Sequence, residues 1–196
     1  MFARLMVMRP DTRRQTSGTP SAERDRMDTL IDGWRRELPD LDQPAFDLAK
    51  RAARLGQLLE EALSDCLAPW SLGKADYSVL SVLRTAGAGF KLRPTDLRDR
   101  LLLTSGGVTN IVNRLERLKL VQRLPDPDDR RSSWVRLTSE GAEVAEEVMR
   151  AWAAVQQQMF SAVSQELAQQ GSGVLRAILL AIGDGEPKAP AARRTG

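Results

Sequence analysis

Histidine is absent from the 196-residue chain and cysteine occurs once, at Cys66. Those two facts exclude an intramolecular disulfide, zinc sites built on Cys and His, and any triad or acid–base pair that depends on an imidazole. Long apolar runs are missing as well: no stretch approaches the roughly 18 residues of a membrane span. The opening MFARLMVMRPDTRRQ is too broken by arginine for a secretion signal, so the expected location is the cytoplasm, and the start is open between Met1, Met6, Met8 and Met27. Carboxylate pairs such as Glu60/Glu61 and Asp128/Asp129 are sequence neighbours, and neither a phosphate-binding glycine loop nor metal-ligand spacing occurs. An enzyme, a cofactor and a metal are therefore not expected.

What is present is charge in one place. The net charge is only +3, too small to name a partner, but from Lys91 to Arg136 there are 11 Lys/Arg against 6 Asp/Glu, while the rest of the chain holds 18 against 20. A local basic excess of this kind is the electrostatic footprint of a nucleic-acid surface.

The apolar periodicity places the elements. Residues 1–22, rich in Arg, Thr, Ser and Pro, show no period and read as a disordered tail. Met27, Leu30, Ile31, Trp34 and Leu38 fall at helical spacing. Leu48, Ala52, Leu55, Leu59, Ala62 and Cys66 then step by four and three along a long helix ending near Pro69. Three shorter helices are expected next: about 75–85, one opened by Pro94, and one capped by Thr104 or Ser105 whose buried face is Val108, Ile111, Val112, Leu115 and Leu118. LVQRL and SWVRLT read as strands of a hairpin around PDPDDRRS. Thr138 or Ser139 caps a long helix carrying Val144, Val148, Trp152, Val155 and Met159, and a last helix runs from about Val174 to Ile182. Three helices followed by a two-stranded ribbon make a winged helix-turn-helix. The fold class is mainly α, with a winged helix-turn-helix at 71–138 between long dimerisation helices at 23–70 and 139–182, and a second disordered tail at 183–196. The stripes at 48–66 and 144–159 are too long for a compact three-helix core to cover, so a homodimer is expected.

In TSGGVTNIVNRLERLK the side opposite the apolar stripe offers Ser105, Thr109, Asn110, Asn113, Arg114 and Arg117. Amide side chains match adenine, guanidinium groups match guanine or phosphate, and small hydroxyls suit either. Gly106 and Gly107 let the helix start approach a phosphate backbone, where its free amides favour an anion. An ordinary solvated amphipathic helix would carry the same pattern. In the hairpin, Arg130 and Arg131 supply cations for a narrow, negative minor groove. Asp128 or Asp129 pairs with one of them and extends the other, and Pro125 and Pro127 stiffen the entry; the competing reading is a charged turn that keeps the hairpin soluble.

LTSGGVTNIVNRLERLKLVQRLPDPDDRRSSWVRLTSEG resembles the recognition helix, wing and following helix start of the multiple-antibiotic-resistance regulator (MarR) family, whose wing typically reads D-x-R or D-R-R before a strand ending in L-T-x-x-G. The likeness extends over residues 44 to about 160. It implies a homodimeric repressor with interlocked first and last helices, bound to double-stranded DNA and released by a small ligand. WRRELPDLD and AGAGFKLRPTDL further resemble the PecS-like, urate-responsive branch, which has an extra N-terminal helix carrying a Trp. On its residues alone Trp34, on an apolar face, reads as packing, whereas that resemblance implies a ligand role for it; Arg51, Arg54 and Arg84 are candidate partners of an anionic aromatic or carboxylate effector, which the sequence does not place in one pocket. Ser78 stands after Tyr77, where that branch often has an acid, so urate itself is expected to act weakly. Cys66 lies on the apolar stripe; an inert buried thiol is the expectation, a redox-sensing cysteine the alternative. A winged-helix module that docks to protein would need no basic wing tip.

Overall fold

A computed structural model describes residues 23–40, 43–87, 89–126 and 133–185. By internal packing the chain divides into two units within its longest helix, between Leu58 and Leu59.

The first unit holds helix α1 (Arg26–Glu37) and most of helix α2 (Gln43–Leu67). Asp25 caps α1: one carboxylate oxygen accepts from the backbone N–H groups of Met27 and Asp28 at 2.7 and 3.0 Å, and Asp28 accepts from the Asp25 N–H at 2.7 Å. This reciprocal box satisfies the first free amides of the helix. Ionic contacts then tie α1 to α2. Arg51 donates to Asp25 at 2.8 Å and Asp28 at 2.6 Å, and Arg35 donates to Asp47 at 2.6 Å.

In the second unit α2 ends in a short 3-10 turn (Ala68–Trp70), followed by α3 (Lys74–Arg84), strand β1 (Lys91–Leu92), α4 (Pro94–Leu101), α5 (Ser105–Arg117), β2 (Val121–Pro125), β3 (Ser133–Leu137), α6 (Ser139–Met159) and α7 (Gln165–Ala181). The antiparallel sheet has the order β1-β3-β2, with Val121 opposite Leu137, Leu124 opposite Trp134 and Leu92 opposite Val135. Two strands are legible from the alternation of residues; β1 is too short to show a period of two. Val79, Leu83, Leu97, Val112, Leu115 and Val135 meet in the core beneath the wing. Leu118, expected on that buried face, closes α5 and stays 39% exposed.

Gly141 explains the L-T-x-x-G string. A Cβ there would lie 1.8 Å from the Leu120 carbonyl oxygen, so only glycine lets the start of α6 rest on the root of the wing. Thr138 fixes the same junction. Its hydroxyl accepts from the Gly141 N–H at 2.9 Å and donates to the Lys119 carbonyl at 2.8 Å.

The last helix begins at Gln165, well before the start near Val174 expected from the sequence. Ser164 caps it through the Leu167 N–H at 3.1 Å, and Gly171 and Gly173, poor helix formers, obscure its helical character in the sequence. Of the two stripes assigned to dimerisation, the α6 stripe has Val148 and Trp152 buried but Val144, Val155 and Met159 only half-buried, and on the α2 stripe Leu48 and Leu55 are exposed. Among the described residues no helix is long and apolar enough to cross a membrane.

Candidate nucleic-acid interface

Helix α5 exists because Thr104 closes its first turn, accepting from the Gly107 N–H at 3.1 Å, and because Val108, Val112 and Leu115 recur on one side at helical spacing. Burying that side against the core leaves Ser105, Gly106, Thr109, Asn110, Asn113 and Arg117 exposed, with Gly107 half-buried. Among the described residues, chain neighbours aside, nothing lies within 4 Å of where a Cβ at Gly106 would stand, so the helix start is open to a close-approaching backbone. The Thr109 hydroxyl donates to the Ser105 carbonyl at 3.0 Å, and Arg117 leans back on the Asn113 carbonyl at 3.4 Å.

Two of the polar side chains are already engaged. Asn113 accepts from Arg123 of β2 at 2.9 Å, and Arg123 also pairs with Glu116 at 3.1 Å. Arg114 is exposed on the same side as Arg117, its side chain 47% accessible, but it is paired as well. Its guanidinium reaches across to the neighbouring elements, donating to Asp76 at 2.9 Å and to the Ser71 carbonyl at 2.7 Å, a charge-assisted pair with a buried carboxylate. Asp76, 4% exposed, also accepts from the Gly73 N–H at 2.8 Å and so caps α3.

The wing tip expected from sequence, with Arg130, Arg131, Asp128 and Asp129, lies outside the described residues. Its root is described. Asp126, 3% exposed, accepts from Arg93 at 2.7 Å, and the same guanidinium lies 4.9 Å from the centre of the Trp134 ring, with Lys91 at 4.7 Å. Sequence reasoning missed Asp76, Arg93, Arg123 and Asp126. Asp76 and Arg93 stand where helix starts put caps, but their partners are 38 and 33 residues away and no local pattern signals them.

Within the first unit the residues assigned to an effector line two separate hollows. In the first unit, Arg51 and Arg54 line a hollow of about 530 Å³ with Met27, Leu55 and Leu58, while Trp34, 43% exposed, lines a different one with Leu30, Gly33 and Glu37. Arg51 is already paired with carboxylates, and its hydrogen bond holds Asp25 below the ordinary carboxylate range. In the second unit, Arg84 stacks 4.5 Å from the Phe90 ring centre and pairs with Glu146 at 3.3 Å beside a hollow of about 260 Å³. Glu146 is held low by Arg150 first and Arg84 second. Burial pushes the Cys66 thiol up, which leaves less of the reactive thiolate.

Three helices, a buttressed ribbon and an exposed polar helix face define a winged helix-turn-helix protein. Comparison with known proteins is specific. The profile of the MarR family matches residues 70–132. The chain is 27% identical over 137 residues to the HTH-type transcriptional regulator PecS of Dickeya dadantii, covering 70% of this chain and 82% of that protein. It is 30% identical over 108 residues to the multiple antibiotic resistance protein MarR of Escherichia coli, covering 55% and 73%. Among solved structures, a mutant MarR from E. coli complexed with operator DNA superposes with a TM-score of 0.63 at 25% identity, over 71% of this chain and 99% of that one. This chain belongs to the MarR family.

Proposed function

We propose that this protein is a homodimeric, sequence-specific DNA-binding transcriptional regulator, a repressor that leaves a pseudo-palindromic operator when a small anionic aromatic or carboxylate effector binds. The observation that carries the reading is α5: its polar side is exposed along its length while its apolar side is locked into a winged helix-turn-helix core. The likeness to an operator-bound MarR structure supports the same use of that helix. Dimerisation is supported by α7, which buries no residue and leaves Leu167, Val174, Leu175, Leu179 and Leu180 at 45–60% exposure. An apolar face of that extent calls for a cover, and a second copy is the simplest one. Twofold symmetry then sets half-site centres about one helical turn, roughly 10 base pairs, apart.

The effector reading draws on the hollow of the first unit. With Arg51 engaged by carboxylates, the further cations beside the apolar wall of Met27, Leu55 and Leu58 are Arg26 and Arg54, the latter donating to Gln57 at 3.0 Å. A flat ring against that wall with its carboxylate on Arg54 fits the chemistry.

The test is binding of the full-length protein to intergenic DNA beside its own gene and to random duplex of equal length, across salt concentrations. The expected result is at least about 10³-fold preference for the intergenic site. Equal affinity for both duplexes would reduce the protein to a non-specific binder and end the reading.

A further inference from the structure

We propose that Arg114 is a positioning residue: with Asp76 and the Ser71 carbonyl it sets the orientation of α5 relative to the end of α2, and through that orientation the base discrimination of the protein. The inference rests on the DNA-binding reading above and deepens it.

The geometry is that of a three-point lock. Asp76, in the first turn of α3, has a side chain 5% exposed, and one of its oxygens takes both the Gly73 N–H at 2.8 Å and the Arg114 Nε at 2.9 Å. Arg114 Nη2 reaches on to the Ser71 carbonyl at 2.7 Å. Ser71 has left-handed backbone, φ 54°, and follows directly on the turn that ends α2 after the fully buried Leu67. One planar guanidinium therefore joins the recognition helix, the cap of α3 and the terminus of the long helix. A planar fork with two fixed donor directions holds an angle as well as a distance, which a lysine ammonium does not. Arg114 is also on the same helix as Asn110 and Asn113, so a small rotation of α5 moves every base-facing side chain together.

Two other roles make different predictions. A direct phosphate contact by Arg114 would contribute to the salt dependence of binding, about one unit of slope per contact. Charge alone would make Asp76 inhibitory, and neutralising it would strengthen binding to every duplex evenly.

The experiment uses the full-length chain and a library of random duplexes. Wild-type protein selects a preferred duplex, and its affinity for that duplex and for a scrambled one is then measured with Asp76→Asn, Arg114→Gln and the double variant. We expect each single variant to lose about tenfold in the preferred-to-scrambled ratio, within what one mis-set base contact costs. The double variant should lose no more than either single one, and the salt slope should match the wild type. A ratio unchanged in both variants overturns the proposal. So does an Arg114→Gln protein that weakens on both duplexes equally with a slope lower by about one. If Asp76→Asn does not fold by circular dichroism, Arg114→Lys serves instead: it keeps the charge without the fork and must still lose discrimination. Failure of the wild type to enrich any sequence would remove the DNA reading itself, and this inference with it.

Discussion

Gly141→Ala tests the junction between wing and α6 most directly. The added Cβ would stand 1.8 Å from the Leu120 carbonyl oxygen, 2.7 Å from its carbon and 3.1 Å from its Cα. All three are backbone atoms, so no side chain can swing aside. Relief requires α6 to lift from the wing root, and that breaks the Thr138 bonds to Gly141 and Lys119. Overpacking a fitted site costs roughly 1–3 kcal/mol, and a backbone obstacle belongs at the top of that range, about 3 kcal/mol. For a chain of this length each kcal/mol moves Tm by about 2–4 °C, so Tm should fall by about 6–12 °C. Gly106→Ala is the control, a glycine in the first turn of a helix with nothing within 4 Å. There alanine should gain up to about 1 kcal/mol of helix propensity and raise Tm slightly. Thermal unfolding by circular dichroism compares the two. A Gly141→Ala protein as stable as Gly106→Ala would refute the close approach.

Thr104→Ala removes the α5 cap and should cost about 0.5–2 kcal/mol, read as a lower denaturation midpoint in urea; an unchanged midpoint would mean that the cap contributes nothing. Arg131→Ala, at the wing tip expected from sequence, should weaken binding to all duplexes and lower the salt slope by about one, whereas Asn110→Ala on the open face of α5 should lose discrimination at an unchanged slope; identical behaviour of the two would undo that division of labour. Asp25 is held below its ordinary value of 3.8, chiefly by Arg51, so its contribution is complete above that value and is lost as pH falls through the lowered one. Amide exchange should therefore show α1 opening before α3 on acidification below that point, and equal protection of both helices would contradict it. Leu179→Glu on the exposed face of α7 should turn a dimer into a species of 21.7 kDa by light scattering, and a wild-type protein already of that mass would exclude the dimer.

The sequence by itself determined the elements, apart from β1 and the first turns of α7, and the side of α5 that faces out. Val108, Val112 and Leu115 at helical spacing, Thr104 and Thr138 at cap positions and the hairpin alternation of β3 are local signals, because helix and strand periods are written in nearest neighbours. The glycine of L-T-x-x-G is visible as part of a motif, but its reason is not, since the carbonyl it accommodates belongs to Leu120. What only tertiary structure decided were the partners of the arginines. Sequence puts Arg114 on the open face with Arg117, three residues on, and it is exposed there; what the sequence does not show is that Asp76, 38 residues earlier, takes its guanidinium as partner because a buried carboxylate needs a cation. Arg51 likewise reads as a ligand partner in the sequence, whereas the fold surrounds it with Asp25 and Asp28. A charged side chain long enough to reach several neighbours is assigned by whichever opposite charge the fold brings within range, and no spacing along the chain records that choice.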